Sequence, residues 1–221
     1  MTEVNYLESL NPLQYESVCS TEGPNLIIAG AGTGKTKVLT TRVAHIIDNN
    51  LAFPSQILCV TFTNKAAREM SERVQKLVSQ NMEKMPWMGT FHSIGAKIIR
   101  NHAEVIGLKQ SFTILDKDDQ LSLIKQIIKA ENLDQSQFSP KLIQSKIDHW
   151  KNKALNPNDI KSESLDNLVD EKSLSIYKIY QARLFEINCL DFGDLLLQCI
   201  NLFKVPDIHK RYSNNFKYIH V

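Results

Sequence analysis

No two of the four cysteines, Cys19, Cys59, Cys189 and Cys199, stand in C-x-x-C spacing, which argues against a zinc site or a redox dithiol. Cys59 lies in an apolar run and reads as a buried thiol of a reducing compartment. Long hydrophobic runs are missing too. No apolar stretch approaches the ~20 residues of a membrane span, and Met1-Thr2-Glu3-Val4-Asn5 is unlike a secretory signal. The expectation is a soluble, cytoplasmic chain with no membrane partner. An excess of charge of one sign is missing as well: the formal net charge is +2, too little to argue nucleic-acid binding by itself. There is no internal repeat, no low-complexity tract and no Asn-Lys-x-Asp guanine reader. What is present is a globular composition, 43% hydrophobic and 23% charged over 221 residues, enough for one or two domains with a real core.

The most informative stretch is Ala29-Gly30-Ala31-Gly32-Thr33-Gly34-Lys35-Thr36. The apolar run Leu26-Ile27-Ile28 leads into it and reads as a strand; a helical stretch from Lys37 to Ile47 leads out. This is the strand–loop–helix grammar of a phosphate-binding P-loop. Glycines let backbone N–H groups turn inward on phosphate oxygens, and the helix that follows favours anions at its N-terminus. Lys35 can neutralise the β- and γ-phosphates, and the Thr36 hydroxyl can hold a Mg²⁺. The strict pattern has Gly where this chain has Ala29, which fits a tight turn if its φ stays negative. A ligandless glycine turn would not need Lys-Thr after its last Gly.

Upstream, Asn11 suits a helix N-cap and Pro12 the first helical position. That places the Gln14 amide, with its donors and acceptor, on a helix preceding the loop, where it can read an adenine edge. After the loop's helix, Gln56-Ile57-Leu58-Cys59-Val60 is a buried strand ending in Thr61-Phe62-Thr63-Asn64-Lys65-Ala66-Ala67. Polar residues there project from the carboxyl edge of the sheet, where open α/β folds bind ligands. Asn64 is expected to cap the next helix, whose Lys65, Arg68, Arg73 and Lys76 face reads mostly as a solvated surface. Trp87 to Thr90 reads as a third strand, followed at the same edge by Phe91-His92-Ser93. Strand–helix alternation then gives way to helical periodicity. Helices are expected after Asp116 or Asp118, from Ser139-Pro140, from Asn156-Pro157, over Ser173 to Asn188 and over Asp191 to Phe203. Phe216 to Val221 reads as a strand. The expected fold is α/β: a P-loop NTPase (RecA-like) parallel sheet over residues 1–92 and 203–221, with an all-helical subdomain inserted at 93–202.

Five blocks together resemble the UvrD/Rep/PcrA-like superfamily 1 DNA helicases: Leu10-Asn11 with Gln14, Ala29 to Thr36, Thr61 to Ala67, Gly89-Thr90-Phe91-His92, and Leu190-Asp191-Phe192 with Asp194-Leu195. The resemblance runs over the whole chain, and the family tolerates Ala at position 29. It implies an ATP-binding motor region with Mg²⁺ as partner ion. It assigns the nucleotide to Gln14, Ala29, Gly30, Ala31, Gly32, Thr33, Gly34, Lys35, Thr36 and Lys37, with Lys35 and Thr36 catalytic and Thr36 on the metal. Where the family usually stacks an Arg on adenine, this chain has Lys37, which keeps the charge and loses the planar face. The resemblance also implies single-stranded DNA and duplex junctions as partners, touched by Thr61, Phe62, Thr63, Asn64, Thr90 and His92. In the family an Asp-Glu-x-Gln-Asp block follows the strand at Phe216 to Val221, and a second motor domain supplies arginines. Neither stands in these 221 residues, so the isolated chain is expected to be inactive unless a separate chain carries the C-terminal motor half. The alternative is a non-catalytic fragment that binds nucleotide or single-stranded DNA. A small P-loop kinase or GTPase would leave Thr61 to Ala67 without a role.

Overall fold

A computed structural model describes residues 6–78, 85–161 and 168–221. The chain divides into two compact units, Met1–Ile94 with Lys210–Val221, and Gly95–His209. Unit 1 is a parallel sheet with helices. Its strands are β1 (Ile57–Thr61), β2 (Met88–Thr90) and β5 (Tyr218–His220), in the order β2-β1-β5. Cys59, Val60 and Thr61 pair with Met88, Gly89 and Thr90, and Ile57, Leu58 and Cys59 pair with Tyr218, Ile219 and His220. Helices α1 (Pro12–Cys19), α2 (Lys35–Asp48) and α3 (Asn64–Leu77) belong to this unit. Val43, Ala44 and Ile46 of α2, Ile57 and Cys59 of β1, and Met70 and Val74 of α3 form its core. Helical spacing on α3 and a strand apolar on both faces bring these residues together.

Two expectations fail in unit 1. Leu26 to Ile28 belongs to no strand among the described residues, and Leu26 and Ile28 are 86% and 88% exposed. The run has a strand's apolarity but joins neither outer strand of the β2-β1-β5 sheet. The α3 cap is Thr63, whose hydroxyl accepts the Ala66 N–H at 3.1 Å; Asn64 is the first helical residue. The β-hydroxyl reaches the third residue of the turn from the extended Thr63 backbone, as an N-cap requires.

Unit 2 holds most of α4 (Phe91–Asn101), then α5 (Lys117–Ala130), α6 (Pro140–Asn152), α7 (Leu168–Glu186), α8 (Phe192–Phe203) and the start of α9 (Pro206–Asn215). Asp116 caps α5 and Ser139 caps α6, each by its side-chain oxygen. Ile124, Ile127, Ile128, Ile143, Ile147, Tyr177, Tyr180 and Leu184 make its core. The expectation of a wholly helical segment over 93–202 is corrected by a two-stranded parallel sheet. β3 (Thr113–Leu115) pairs with β4 (Cys189–Asp191). No helix starts at Asn156-Pro157 among the described residues. The Asp159 carboxylate accepts both the N–H and the side-chain amide of Asn156, at 2.9 and 2.7 Å, closing a turn; short polar side chains compete with helix in this way. Helix α7 spans Leu168–Glu186, starting earlier than Ser173 and stopping short of Asn188, which takes a φ of 54° just before β4.

Candidate functional site

The glycine-rich loop closes on itself and on α1. Gly32 and Gly34 take φ of 76° and 87°, the left-handed region in which a side chain is strained; Ala29 and Ala31 are not among the positive-φ residues. The Thr33 hydroxyl donates to the Gly30 carbonyl at 2.7 Å. Lys35 Nζ donates to the carbonyls of Ala29 and Gly30, at 2.9 and 2.6 Å, so the ammonium lies over the loop that precedes it. Lys35 and Thr36 are exposed.

Gln14 is held from both ends of its amide. Its Oε1 accepts the Asn11 N–H at 3.1 Å, completing a capping box, and its Nε2 donates to the Thr33 carbonyl at 3.0 Å. A Cβ on Gly34 would come within 2.9 Å of that nitrogen, so a side chain there would push the Gln14 amide aside, while the φ of 87° itself calls for glycine. Lys37 Nζ donates to the Ser9 carbonyl, a tie between α2 and the segment before α1. The structure thus gathers Gln14, Ala29 to Thr36 and Lys37 around one loop.

The α2 N-terminus differs from those of α1, α3, α5, α6 and α8. Those helices are capped by Asn11, Thr63, Asp116, Ser139 and Asp191. The α2 N-cap is Gly34, with no side-chain cap. Its first-turn N–H groups have no partner within the helix, and beside them lies the Lys35 cation.

The second set of residues leaves the carboxyl ends of β1 and β2. Thr61 and Thr90 are register partners, so Phe62 and Phe91 emerge side by side, ring centroids 5.4 Å apart and tilted by 52°. Phe62 is 85% exposed. The sequence places Phe91 at this same edge without assigning it a contact to DNA; its position one residue after a strand end, in register with Phe62, pairs the two rings. Thr90 is buried, and its hydroxyl accepts the Ser93 N–H at 3.1 Å while its own N–H donates to Ser93 Oγ. Thr90 therefore shapes the start of α4, and Thr63 likewise shapes α3. Asn64 is exposed, and Thr61 and His92 are half-buried. On α3, Arg68 pairs with Glu72 at 2.9 Å and Arg73 with Glu69 at 3.9 Å, exposed pairs worth little; Lys65 and Lys76 are exposed.

Arg42 of α2 is buried and donates to the Ser17 carbonyl at 2.6 Å. The Tyr218 hydroxyl donates to Glu22 at 3.2 Å, joining β5 to the turn before the loop. Burial, with Arg42 nearby, pushes His220 down to about 4, so it is neutral at physiological pH. Burial pushes the Cys59 thiol up to about 12, which leaves it an inert core group. Among the described residues no helix is long and apolar enough to cross a membrane, and no cluster of three or more His, Cys, Asp or Glu could hold a metal ion.

Asp191 and Asp194, part of the fifth block, lie in unit 2 and are buried. Lys151 Nζ stands 2.7 Å from Asp191 Oδ2 and 2.8 Å from Asp194 Oδ1. Asp191 also caps α8 and accepts the Tyr180 hydroxyl at 2.8 Å. The block is thus a packing device of unit 2.

Residues 10–221 match the model of the UvrD/REP helicase N-terminal domain. The chain is 46% identical over 216 residues to the ATP-dependent DNA helicase PcrA of Staphylococcus aureus strain COL, covering 97% of this chain and 29% of that protein. It is 44% identical over 213 residues to the protein of the same name from Leuconostoc citreum, covering 96% and 28%. The Staphylococcus epidermidis PcrA is 44% identical over 216 residues, covering 97% and 29%. The chain therefore spans under a third of the length of these relatives. By a match over nearly its whole extent, it belongs to the UvrD/REP helicase family, as an N-terminal domain of that kind.

Proposed function

We propose that Ala29 to Thr36 is a P-loop for ATP, and that unit 1 is the ATP-binding part of a RecA-like motor. The observation that carries this is the α2 N-terminus. It is closed by a left-handed Gly34 in place of a capping side chain, beside the Lys35 ammonium and under the Gln14 amide. A chain of phosphates fits what is there: N–H donors, a helix dipole and one mobile cation. Lys35 would leave the Ala29 and Gly30 carbonyls for the β- and γ-phosphates, and the exposed Thr36 hydroxyl would face a Mg²⁺. When bound, that ion neutralises the developing phosphate charge. Gln14 is already spent on Asn11 and Thr33, so adenine would be read by exchanging one of these bonds. Lys37 offers charge near the base without a stacking face.

The relatives are named ATP-dependent DNA helicases, and we extend that activity to this chain as one portion of such a motor. Single-stranded DNA and duplex junctions are its partners, with 1–92 and 203–221 as motor domain and 93–202 as insert. The C-terminal motor half of such a protein would complete it. Phe62 and Phe91 form the aromatic platform for bases, Asn64 and His92 lie beside it, and Thr61, Thr63 and Thr90 hold the edge in shape.

An ATP titration tests the nucleotide site. Lys35→Ala removes charge-assisted bonds worth about 1.5–3 kcal/mol, so affinity should fall roughly ten- to a hundredfold; equal affinity for parent and variant would refute the P-loop reading. The DNA edge is tested separately by fluorescence anisotropy with an oligothymidylate. Base stacking contributes ~1–3 kcal/mol per aromatic, so Phe62→Ala should weaken binding at least fivefold whatever the sequence of the strand. A loss confined to particular sequences would point to base-edge readout instead.

A further inference from the structure

Unit 2 buries two carboxylates against one ammonium. The side chains of Lys151, Asp191 and Asp194 are 0%, 3% and 0% exposed. Fully ionised, the cluster has one negative charge too many in a low-dielectric core. Asp191 has the better share of the donors: Lys151, the Tyr180 hydroxyl, the Gln120 amide and the Asp194 N–H. Asp194 has Lys151, the Gln181 amide at 3.1 Å and the Asp191 N–H at 3.2 Å. The Gln181 Oε1 is buried and has no hydrogen-bond partner. Rotating that amide by half a turn would put this acceptor against Asp194 Oδ1, ready for a carboxyl proton.

The geometry points to a proton-binding site in the core of unit 2: Asp194 takes up one proton while Asp191 stays ionised on Lys151, and acidification stabilises the unit through that uptake. The groups around it support the assignment. From α6 comes Lys151, with Asp148 reached only through Gln120 of α5. From α7 come Tyr177 and Tyr180, whose hydroxyls burial pushes far up, so both stay neutral. From β4 comes Asp191, held low by Lys151 and its other donors despite its burial. The segment at Ala103–Ile106, which packs on α8, carries Glu104, and that residue is exposed. Burial raises Asp194 to about 6 from 3.8.

The direction follows from linkage. Between about pH 6 and pH 4 the native Asp194 holds a proton that the unfolded chain has released, so its contribution to stability grows as pH falls. Asp191, with its lowered value, loses stability only below its unfolded pKa. His220 works the other way over the same range, but it belongs to unit 1.

The test is unfolding of the 221-residue chain followed by Trp150, with Trp87 replaced by Phe so that only unit 2 reports. From pH 7.5 to 4.5 the folding equilibrium of the parent should improve about thirtyfold relative to Asp194→Asn. In parallel, carboxyl-carbon NMR of the parent should show one aspartate titrating well above the usual range. That measurement stands even if Asp194→Asn does not fold. A flat difference between parent and variant would overturn the site. So would a parent spectrum in which every aspartate titrates normally.

Discussion

Lys151→Ala is expected to cost unit 2 about 3–5 kcal/mol, the usual penalty for removing one partner of a buried ion pair. Its ammonium is enclosed by Asp191, Asp194 and the rings of Tyr177 and Tyr180, with Nζ 5.6 and 5.2 Å from the ring centroids. Truncation leaves two buried carboxylates facing each other across a cavity with no cation between them. At a few degrees per kcal/mol for a chain of this size, the unit 2 transition should drop by roughly 6–20 °C. Trp150 is the reporter, since it stacks on Tyr177 at 5.9 Å and 13°. Lys151→Met combined with Asp191→Asn and Asp194→Asn should recover most of the loss, because it removes all three charges and keeps an N-cap on α8. A cost below about 1 kcal/mol for Lys151→Ala would mean that the charges are not paired as described.

That cluster also marks where the sequence was hard to read. A lysine on an amphipathic helix is ordinarily a surface residue, and nothing within 40 residues of Lys151 announces the Asp191 and Asp194 that bury it. The β3–β4 pair failed for the same reason: Thr113 and Cys189 are brought together only by the fold, and three-residue strands carry almost no periodic signal. Leu26 to Ile28 misled in the opposite sense. Apolar composition states that a segment could enter a sheet, and the tertiary context decides whether it pairs with a strand there. What was legible is local. The Asn11-Pro12-x-Gln14 start of α1, the Ser139-Pro140 start of α6 and the continuous apolar run of β1 each follow from backbone chemistry within four residues. The glycine-rich loop belongs to this group, since its left-handed positions and its Lys-Thr are consecutive. The edge at Phe62 was half legible. The motif placed it at a strand end, but Phe91 became its companion only through the register of β1 with β2.

The 221-residue polypeptide, assayed by itself, is expected to bind ATP and not to turn it over with DNA. Lys35 and Thr36 account for holding phosphate and for one ligand to Mg²⁺. Hydrolysis also needs a carboxylate on the metal, a group that orients the attacking water, and a cation on the transferred phosphoryl. An arginine finger alone is worth about 10³–10⁵ in rate. No Asp-Glu-x-Gln-Asp block stands in these residues. Asp191 and Asp194 cannot be recruited, because Lys151, the α8 cap and Tyr180 already use them inside unit 2. Translocation asks for more still, since it requires two motor domains that open and close around the nucleotide. The measurement is phosphate release with saturating single-stranded DNA, using chain free of host helicase and Lys35→Ala as control. The parent should stay at the rate of the control. Mixing in a polypeptide that carries the remaining part of a PcrA relative should raise turnover by at least a thousandfold over the parent alone, if the two halves assemble through unit 1. DNA-stimulated turnover by the parent alone, abolished in Lys35→Ala, would sink the expectation and would require a catalytic carboxylate elsewhere in these residues.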